Sequence, residues 1–359
     1  MTAPTAMRRA GERTSAAFKT PSTKSCNAPR RWYSNWMRQR SFGRPAWPVG
    51  EVGYGMWGMG AWSGADDDES RRSLRQAVGL GCNFFDTAWA YGAGHSERLL
   101  GDLLRDTGGT RIYTASKIPP KNGKWPARAD YALEDVFPAD HIRAFTEKTL
   151  SNLGVSTIDL MQFHVWNDAW ANDPRWQRAV GALKDEGLVR AIGISINRWE
   201  PENGIRTLRT GLVDAVQVVY NVFDQAPEDE LFPVCRELNI AVIARVPFDE
   251  GTLTGMLTRE SSWPEGDFRN IYFSGDKLQD SVTRAEKLRA LLPPGTTMAE
   301  FALRWILSNP SVTVVIPGMR KPAHVAANLA ASDAGPLSSE LLDASRPHRW
   351  DRRPGPQPD

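Results

Sequence analysis

The sequence predicts an α/β fold, a single (β/α)8 TIM barrel with long loops at its C-terminal face and a disordered N-terminal extension. Three observations predict it. Seven short runs are almost continuously apolar, as strands buried on both faces must be. Segments of helical periodicity lie between them, which implies parallel strands and right-handed crossovers. The body of this 359-residue chain carries no linker-like composition, and eight βα units need about 250 residues or somewhat more. A doubly wound open sheet is the competing architecture, but it usually has fewer strands before a composition break.

The elements follow in order. A short first strand lies near 51–55. The others are NFFDTA (83–88), RIYTASK (111–117), IDLMQFHVW (158–166), VRAIGISI (189–196), AVQVVYN (215–221), IAVIARVPF (240–248) and VTVVIPG (312–318). A helix over 68–80 starts at Asp66, Asp67, Asp68 and Glu69, whose carboxylates suit free N–H groups and the helix dipole. It ends at Gly79 and Gly81. Helices over 95–105 and 140–153 follow. The next begins at Pro174 and ends at Gly187, the favoured placement of proline and glycine. Later helices cover 228–238, 297–308 and 322–332. Residues 119–130 and 259–275, rich in Pro, Gly and Trp, read as long loops. The barrel domain is expected over 37–348, and the Pro-rich 349–359 as a flexible tail.

Charge separates the first 36 residues from the rest. The whole chain is +2, but residues 1–36 hold seven Lys/Arg against Glu12 and are rich in Ala, Thr, Ser and Pro. They have no apolar periodicity, so disorder is expected. Arg8-Arg9 has no apolar segment after it and so does not make a twin-arginine signal. A transit peptide fits the composition; a start at Met37, with 1–36 an upstream extension, fits better. A near-neutral chain does not advertise nucleic acid or an anionic membrane as partner. No stretch reaches the ~18 apolar residues of a membrane span. Cys26, Cys82 and Cys235 are widely spaced, which suits neither a disulfide framework nor a zinc site. A cytoplasmic protein without a metal is the expectation.

Several motifs have plain structural readings. Gly53-Tyr54-Gly55-Met56-Trp57-Gly58 satisfies G-x-G-x-x-G, but a dinucleotide fingerprint must open a helix. Here more glycines follow, so it reads as a loop after the first strand. Cys82 reads as a small buried apolar residue, and His95 as an exposed loop histidine.

The strand ends are more informative, because barrel chemistry sits at the C-terminal face. The second strand ends at Asp86, with Tyr91 five residues on; the third ends at Lys117 and the fourth at His164. Three successive strand ends therefore converge on one patch. An ammonium paired to a carboxylate beside a phenol favours the phenolate, so the Tyr91 pKa is expected below its ordinary value of ~10. Such a phenol serves as a general acid, and a neighbouring imidazole can hold a substrate oxygen.

Residues 83–101, NFFDTAWAYGAGHSERLLG, resemble the aldo-keto reductase signature, with its Asp and Tyr five apart, and the similarity runs over nearly all of 38–345. The resemblance implies Tyr91 as catalytic acid/base, Lys117 and Asp86 as residues that tune it, and His164 as the group that polarises the carbonyl. It also implies a nicotinamide dinucleotide bound without a Rossmann domain. Ser195 and Gln217 match the residues that contact the carboxamide; Ile196 intervenes before Asn197, where the family often has Asn next to Ser. Arg245 replaces a common aromatic residue and could meet the cofactor pyrophosphate. In IPGMRKPAHVAANLAA (316–331), Gly318 leaves backbone room, Arg320 would pair with a 2′-phosphate and Asn328 would contact adenine. Ala327 stands where Glu is usual, and His324 where Gln or Arg is. Arg320 favours NADPH, with NADH as the alternative. Trp57, Trp62, Trp89, Trp125 and Trp166 lie in or beside loops after strands, and Trp57, Trp89 and Trp166 are expected in an aromatic pocket. The implied function is reduction of small aldehydes or ketones by hydride transfer. The alternatives are an NAD(P)-dependent sugar or aldose dehydrogenase, or a cofactor-sensing regulatory subunit.

Overall fold

The structure is a computed structural model and describes residues 37–60 and 64–352. The expectations for residues 1–36 and for Trp62 lie outside the described residues. Eight short parallel strands pair in chain order: β3 (Tyr54–Gly55), β4 (Phe84–Asp86), β5 (Tyr113–Ile118), β6 (Ile158–Phe163), β7 (Val189–Ser195), β8 (Ala215–Val219), β9 (Ala241–Arg245) and β10 (Val314–Val315). Bridges between Val52 and Val315 and between Gly55 and Gly318 join the last strand to the first and close the ring. At that seam Gly55 donates its N–H to the Pro317 carbonyl at 3.0 Å. A Cβ at Gly55 would lie 2.6 Å from the Ile316 oxygen, so only glycine lets the two backbones approach.

The paired strands are shorter than the apolar runs that predict them. Apolar character continues past the last ladder pair into buried turns, as Ile196, Tyr220 and Trp166 show. The helices Asp67–Gly79, His95–Asp106, Ala139–Leu153, Pro174–Asp185, Leu231–Leu238, Met298–Leu307 and Pro322–Asp333 lie within three residues of the expected bounds. Asp66 accepts from the Glu69 N–H at 2.7 Å, the capping role its sequence position suggests. Helices Lys277–Arg289 and Ser339–Ser345 were not foreseen. In the first of them only Ser281, Val282, Ala285 and Leu288 are buried, too thin an apolar stripe for the periodicity to register. A five-residue helix, Phe268–Tyr272, sits inside the expected 259–275 loop.

The hairpin of β1 (Gln39–Phe42) and β2 (Trp47–Gly50) is also absent from the sequence reading, because Pro48 and the flanking glycines punctuate the pattern. It plugs the bottom of the barrel. Phe42 stacks on Trp47 and on Phe84 at 5.4 Å, and Trp47 stacks on Tyr113 at 5.3 Å. Above them Leu160, Ile243 and Val314 alternate with Ala115, Ala191, Ala215 and Ala241 to fill the interior. The buried Glu51 accepts from Arg38 and Arg40 Nε, each at 2.9 Å. Arg40 continues to the carbonyls of Asn309 and Val312 at 3.1 and 2.6 Å.

The expected tail at 349–359 requires a correction. Arg349 to Arg352 are held against the barrel, because the Arg352 guanidinium is buried between two carboxylates. Residues 353–359 lie outside the described residues. Among the described residues no helix is long and apolar enough to cross a membrane.

Candidate active site

Each polar group of the site sits where a strand stops and the chain turns over the barrel mouth. Asp86 ends β4, and a turn returns the chain so that Tyr91 lies beside it; the Tyr91 N–H donates to Ala88 O at 3.0 Å. The short segment 57–60 packs on this turn so closely that a Cβ at Gly60 would lie 2.6 Å from the Tyr91 backbone. Lys117 is near the end of β5, and His164 follows β6.

The four residues converge as expected. The Lys117 ammonium is fully buried and donates to Asp86 Oδ2 at 2.5 Å, to the Thr87 carbonyl at 2.8 Å and to the Tyr91 hydroxyl at 3.4 Å. The Tyr91 and His164 rings meet edge to face at 5.6 Å. His164 Nδ1 is buried without a hydrogen-bond partner. Burial, then Lys117 and Arg245, hold His164 well below its ordinary pKa, so the imidazole is neutral at pH 7. Burial opposes the charge on Lys117, but Asp86 and Tyr91 outweigh it and raise its pKa.

Tyr91 corrects one expectation. Burial pushes its pKa up, and Lys117, which pulls the other way, does not win. The Asp86 carboxylate, bonded to the same ammonium, adds to burial by opposing ionisation of the phenol. Without cofactor the phenol is therefore held protonated.

Asp86 has further donors. Gln217 Nε2 donates to Asp86 Oδ1 at 2.8 Å and Gln162 Nε2 at 3.2 Å. Gln217 was expected on other grounds; Gln162 was not. Period-two alternation places Gln162 on the same strand face as His164, which was the available signal. Charge-assisted donation of this kind is stronger than a neutral hydrogen bond and fixes the carboxylate in place.

Around this centre the remaining expected residues separate. Ser195 pairs in register with Gln217 across β7 and β8, and both are buried. Asn197 is committed to the 119–130 loop, exchanging hydrogen bonds with the Ala127 backbone at 3.2 and 2.8 Å. Arg245 donates from Nη2 to the Ile196 carbonyl at 3.0 Å, while its Nε is buried without a partner. Burial and the nearby Arg198 push its pKa down to about 10. Arg320 likewise has a buried, unpartnered Nη1. Gly318 is exposed and opens onto free space, and Asn328 is buried on helix Pro322–Asp333.

Trp166 is a correction. It is fully buried in an aromatic cluster with Phe163 and Trp176 at 4.9 and 5.2 Å, and its Nε1 donates to Thr207 Oγ1 at 2.7 Å. It therefore belongs to the core behind β6. The indole beside the polar centre is Trp125, edge-on to His164 at 4.6 Å. Trp57 is partly exposed and meets Phe268 edge to face at 5.8 Å. Trp89 packs against Phe145 at 4.7 Å with the Lys148 ammonium above it, both on helix Ala139–Leu153.

Taken together, a closed (β/α)8 barrel brings a phenol, an ammonium, a carboxylate and a neutral imidazole to adjacent strand ends, a set of groups suited to proton transfer. Comparison makes the class definite. Residues 51–346 match the model of the aldo/keto reductase family, and the chain belongs to that family of oxidoreductases. It is 29% identical over 318 residues to the aldo-keto reductase yakc [NADP(+)] of Schizosaccharomyces pombe, covering 83% of this chain and 86% of that one. It is 27% identical to an NADH-specific methylglyoxal reductase of Escherichia coli, covering 82% and 92%. Among solved structures it resembles a glycerol dehydrogenase from Gluconobacter oxydans with a TM-score of 0.71, 27% identity and coverage of 89% and 98%. An aldo-keto reductase from Bacillus halodurans in its holo form gives a TM-score of 0.69, 26% identity and coverage of 88% and 97%.

Proposed function

We propose that the protein reduces small aldehydes or ketones to alcohols, with Tyr91 as general acid and NADPH preferred to NADH. The observation that carries this reading is the contact of Lys117 with both Asp86 and the Tyr91 hydroxyl, beside a neutral His164. The chain's unpartnered groups fit a dinucleotide. Arg245 Nε and Arg320 Nη1 are buried donors without acceptors, a costly state that an anionic phosphate relieves. Arg320 would hold the 2′-phosphate, Arg245 the pyrophosphate, Gly318 the close backbone approach and Asn328 the adenine. Ser195 and Gln217 would hold the carboxamide. When bound, the nicotinamide supplies the hydride.

The chain's own groups supply the rest. The neutral His164 imidazole and the Tyr91 hydroxyl hold the carbonyl oxygen, and Tyr91 delivers the proton from its hydroxyl. Lys117 stabilises the phenolate left behind, and Asp86, held by Gln162 and Gln217, keeps Lys117 charged and in place. Trp57 and Trp125 form the apolar wall for the substrate. The proposal includes a cytoplasmic location, which rests on Cys82 and Cys235 being free and buried.

The test is Tyr91→Phe. Loss of carbonyl reduction by about 10²–10⁴-fold, the usual contribution of a general acid, with NADPH binding kept, is the expected result. Full activity in this variant would overturn the assignment. A second reading, oxidation of a polyol or sugar in the same site, is favoured by the likeness to the glycerol dehydrogenase. It needs the phenolate, which burial disfavours, so oxidation should quicken as pH rises while reduction slows.

A further inference from the structure

Residues 346–352 run over the barrel mouth and end on a buried cation. Arg346 Nη1 donates to Glu228 at 2.9 Å, Arg349 grips Asp229 at 2.8 and 2.6 Å, and the Trp350 N–H donates to the Phe223 carbonyl at 2.8 Å. The Arg352 side chain is only 8% exposed. Its Nε donates to Asp224 Oδ1 at 3.1 Å, its Nη2 to Asp224 Oδ2, and its Nη1 to Asp249 Oδ1 at 2.8 Å. Tyr272 donates its hydroxyl to the same Asp249 oxygen at 2.6 Å. The Trp199 and Trp350 rings lie 5.0 and 4.7 Å from the guanidinium.

Asp224 follows β8, and Asp249 follows β9, so one guanidinium ties two strand-end loops together. The second loop needs the tie. Val246, Asp249 and Glu250 all have positive φ, at 57°, 46° and 55°, conformations that side-chain-bearing residues keep only when their surroundings hold them. The loop's own backbone bonds turn back within it, from Gly251 and Leu253 to the Phe248 carbonyl at 2.9 Å. Its anchors to the rest of the fold are side chains. Asn221 reaches the Val246 carbonyl at 3.1 Å, Arg198 pairs with Glu250 at 2.5 Å, Arg289 reaches the Gly255 carbonyl at 2.8 Å, and Arg352 grips Asp249. The loop begins at Arg245, and Arg198 and Glu250 are among the charges that Arg245 feels.

We propose that Arg352 is a positioning residue. Its bridge from Asp224 to Asp249 holds segment 246–255 in its strained form beside Arg245, and so sets how fast the dinucleotide leaves. The last clause rests on the cofactor reading above; the holding role does not.

The experiment uses the full chain. In cofactor-free Arg352→Met, hydrogen exchange across 246–255 should quicken at least ten-fold while β4–β6 stay protected. Release of NADPH, followed by stopped-flow tryptophan fluorescence, should quicken by a similar factor, with Arg352→Lys between the two. Unchanged exchange in folded Arg352→Met overturns the holding role, and faster exchange with unchanged release overturns the link to the cofactor. If Arg352→Met does not fold, Asp224→Asn/Asp249→Asn/Arg352→Met removes all three charges and should show the same faster exchange; native protection there overturns the proposal. If the native protein binds neither NADPH nor NADH, the cofactor reading and the release clause both fail, and hydrogen exchange still decides the holding role.

Discussion

Two of the buried cations at the mouth of this barrel, Lys117 and Arg352, are built differently. Lys117 has one carboxylate, Asp86, and spends its remaining donors on a carbonyl and on the Tyr91 hydroxyl. Arg352 has two carboxylates, Asp224 and Asp249, and Tyr272 bonds both to Asp249 and to the guanidinium. The first places one of its three donors on a hydroxyl, the group that the proposed chemistry would use. The second uses its planar fork to join two loops. A point charge on a flexible stem suits proton chemistry, and a fixed fork suits joining parts.

The sharpest way to break this contrast is to remove each cation in turn. Lys117→Met should lower carbonyl turnover by about 10²–10⁴-fold and also destabilise the fold, because Asp86 is left buried without its ion partner. Arg352→Met should cost about 3–5 kcal/mol of stability, the usual penalty for stranding a buried charge, measured by urea unfolding. Its chemical step, followed in single turnover with bound cofactor, should stay within a few-fold of native. Equal losses of chemistry in both variants would erase the distinction.

A smaller effect is expected one shell out. Gln162→Leu removes one donor from Asp86 Oδ1 while Gln217 stays. Activity should fall by at least about ten-fold, since a hydrogen bond to a charged group is worth about 1.5–3 kcal/mol. The alkaline limb of the pH–rate profile should move with it. A change in KM without any movement of the profile would make Gln162 a packing residue.

The smallest effect is on stability against acid. His164 is held neutral in the fold with its pKa well below 6.5. Below pH 6.5 the unfolded chain takes up a proton that the folded chain refuses, so stability falls as pH falls. The slope reaches about 1.4 kcal/mol per pH unit for one such group. Glu97, whose pKa burial raises, acts in the opposite sense, so the comparison must be between native protein and His164→Gln. Urea midpoints at pH 7 and pH 5.5 should lie closer together in the variant.

The two sites also differ in how far the sequence displays them. Asp86, Tyr91, Lys117 and His164 stand at the ends of apolar runs, where a barrel exposes its functional groups, and the geometry that joins them follows from strand order. The Arg352 bridge joins residues 224, 249, 272 and 352. Two come from loops, one from a short helix and one from a segment whose prolines suggest a free tail. No local pattern links them, because their proximity depends on loop conformation and not on periodicity. The place of Trp166 is hidden for a related reason: an apolar run past the last paired residue can end in the core as easily as at the mouth. The Tyr91 pKa is not legible in the sequence, which shows the charged neighbours but not the burial that outweighs Lys117.

The hairpin beneath the barrel has a consequence for where the folding unit starts. Glu51 lies just before the first barrel strand, and Arg38 and Arg40 bolt it from the hairpin, with Arg40 reaching the carbonyls that lead into the last strand. The ring is joined there by only a few backbone bonds, so these arginines work as a buckle across its weakest join. The family match begins at residue 51. A chain cut to that boundary would keep every residue of the site and the backbone bridges of the seam, but lose the arginines that brace it.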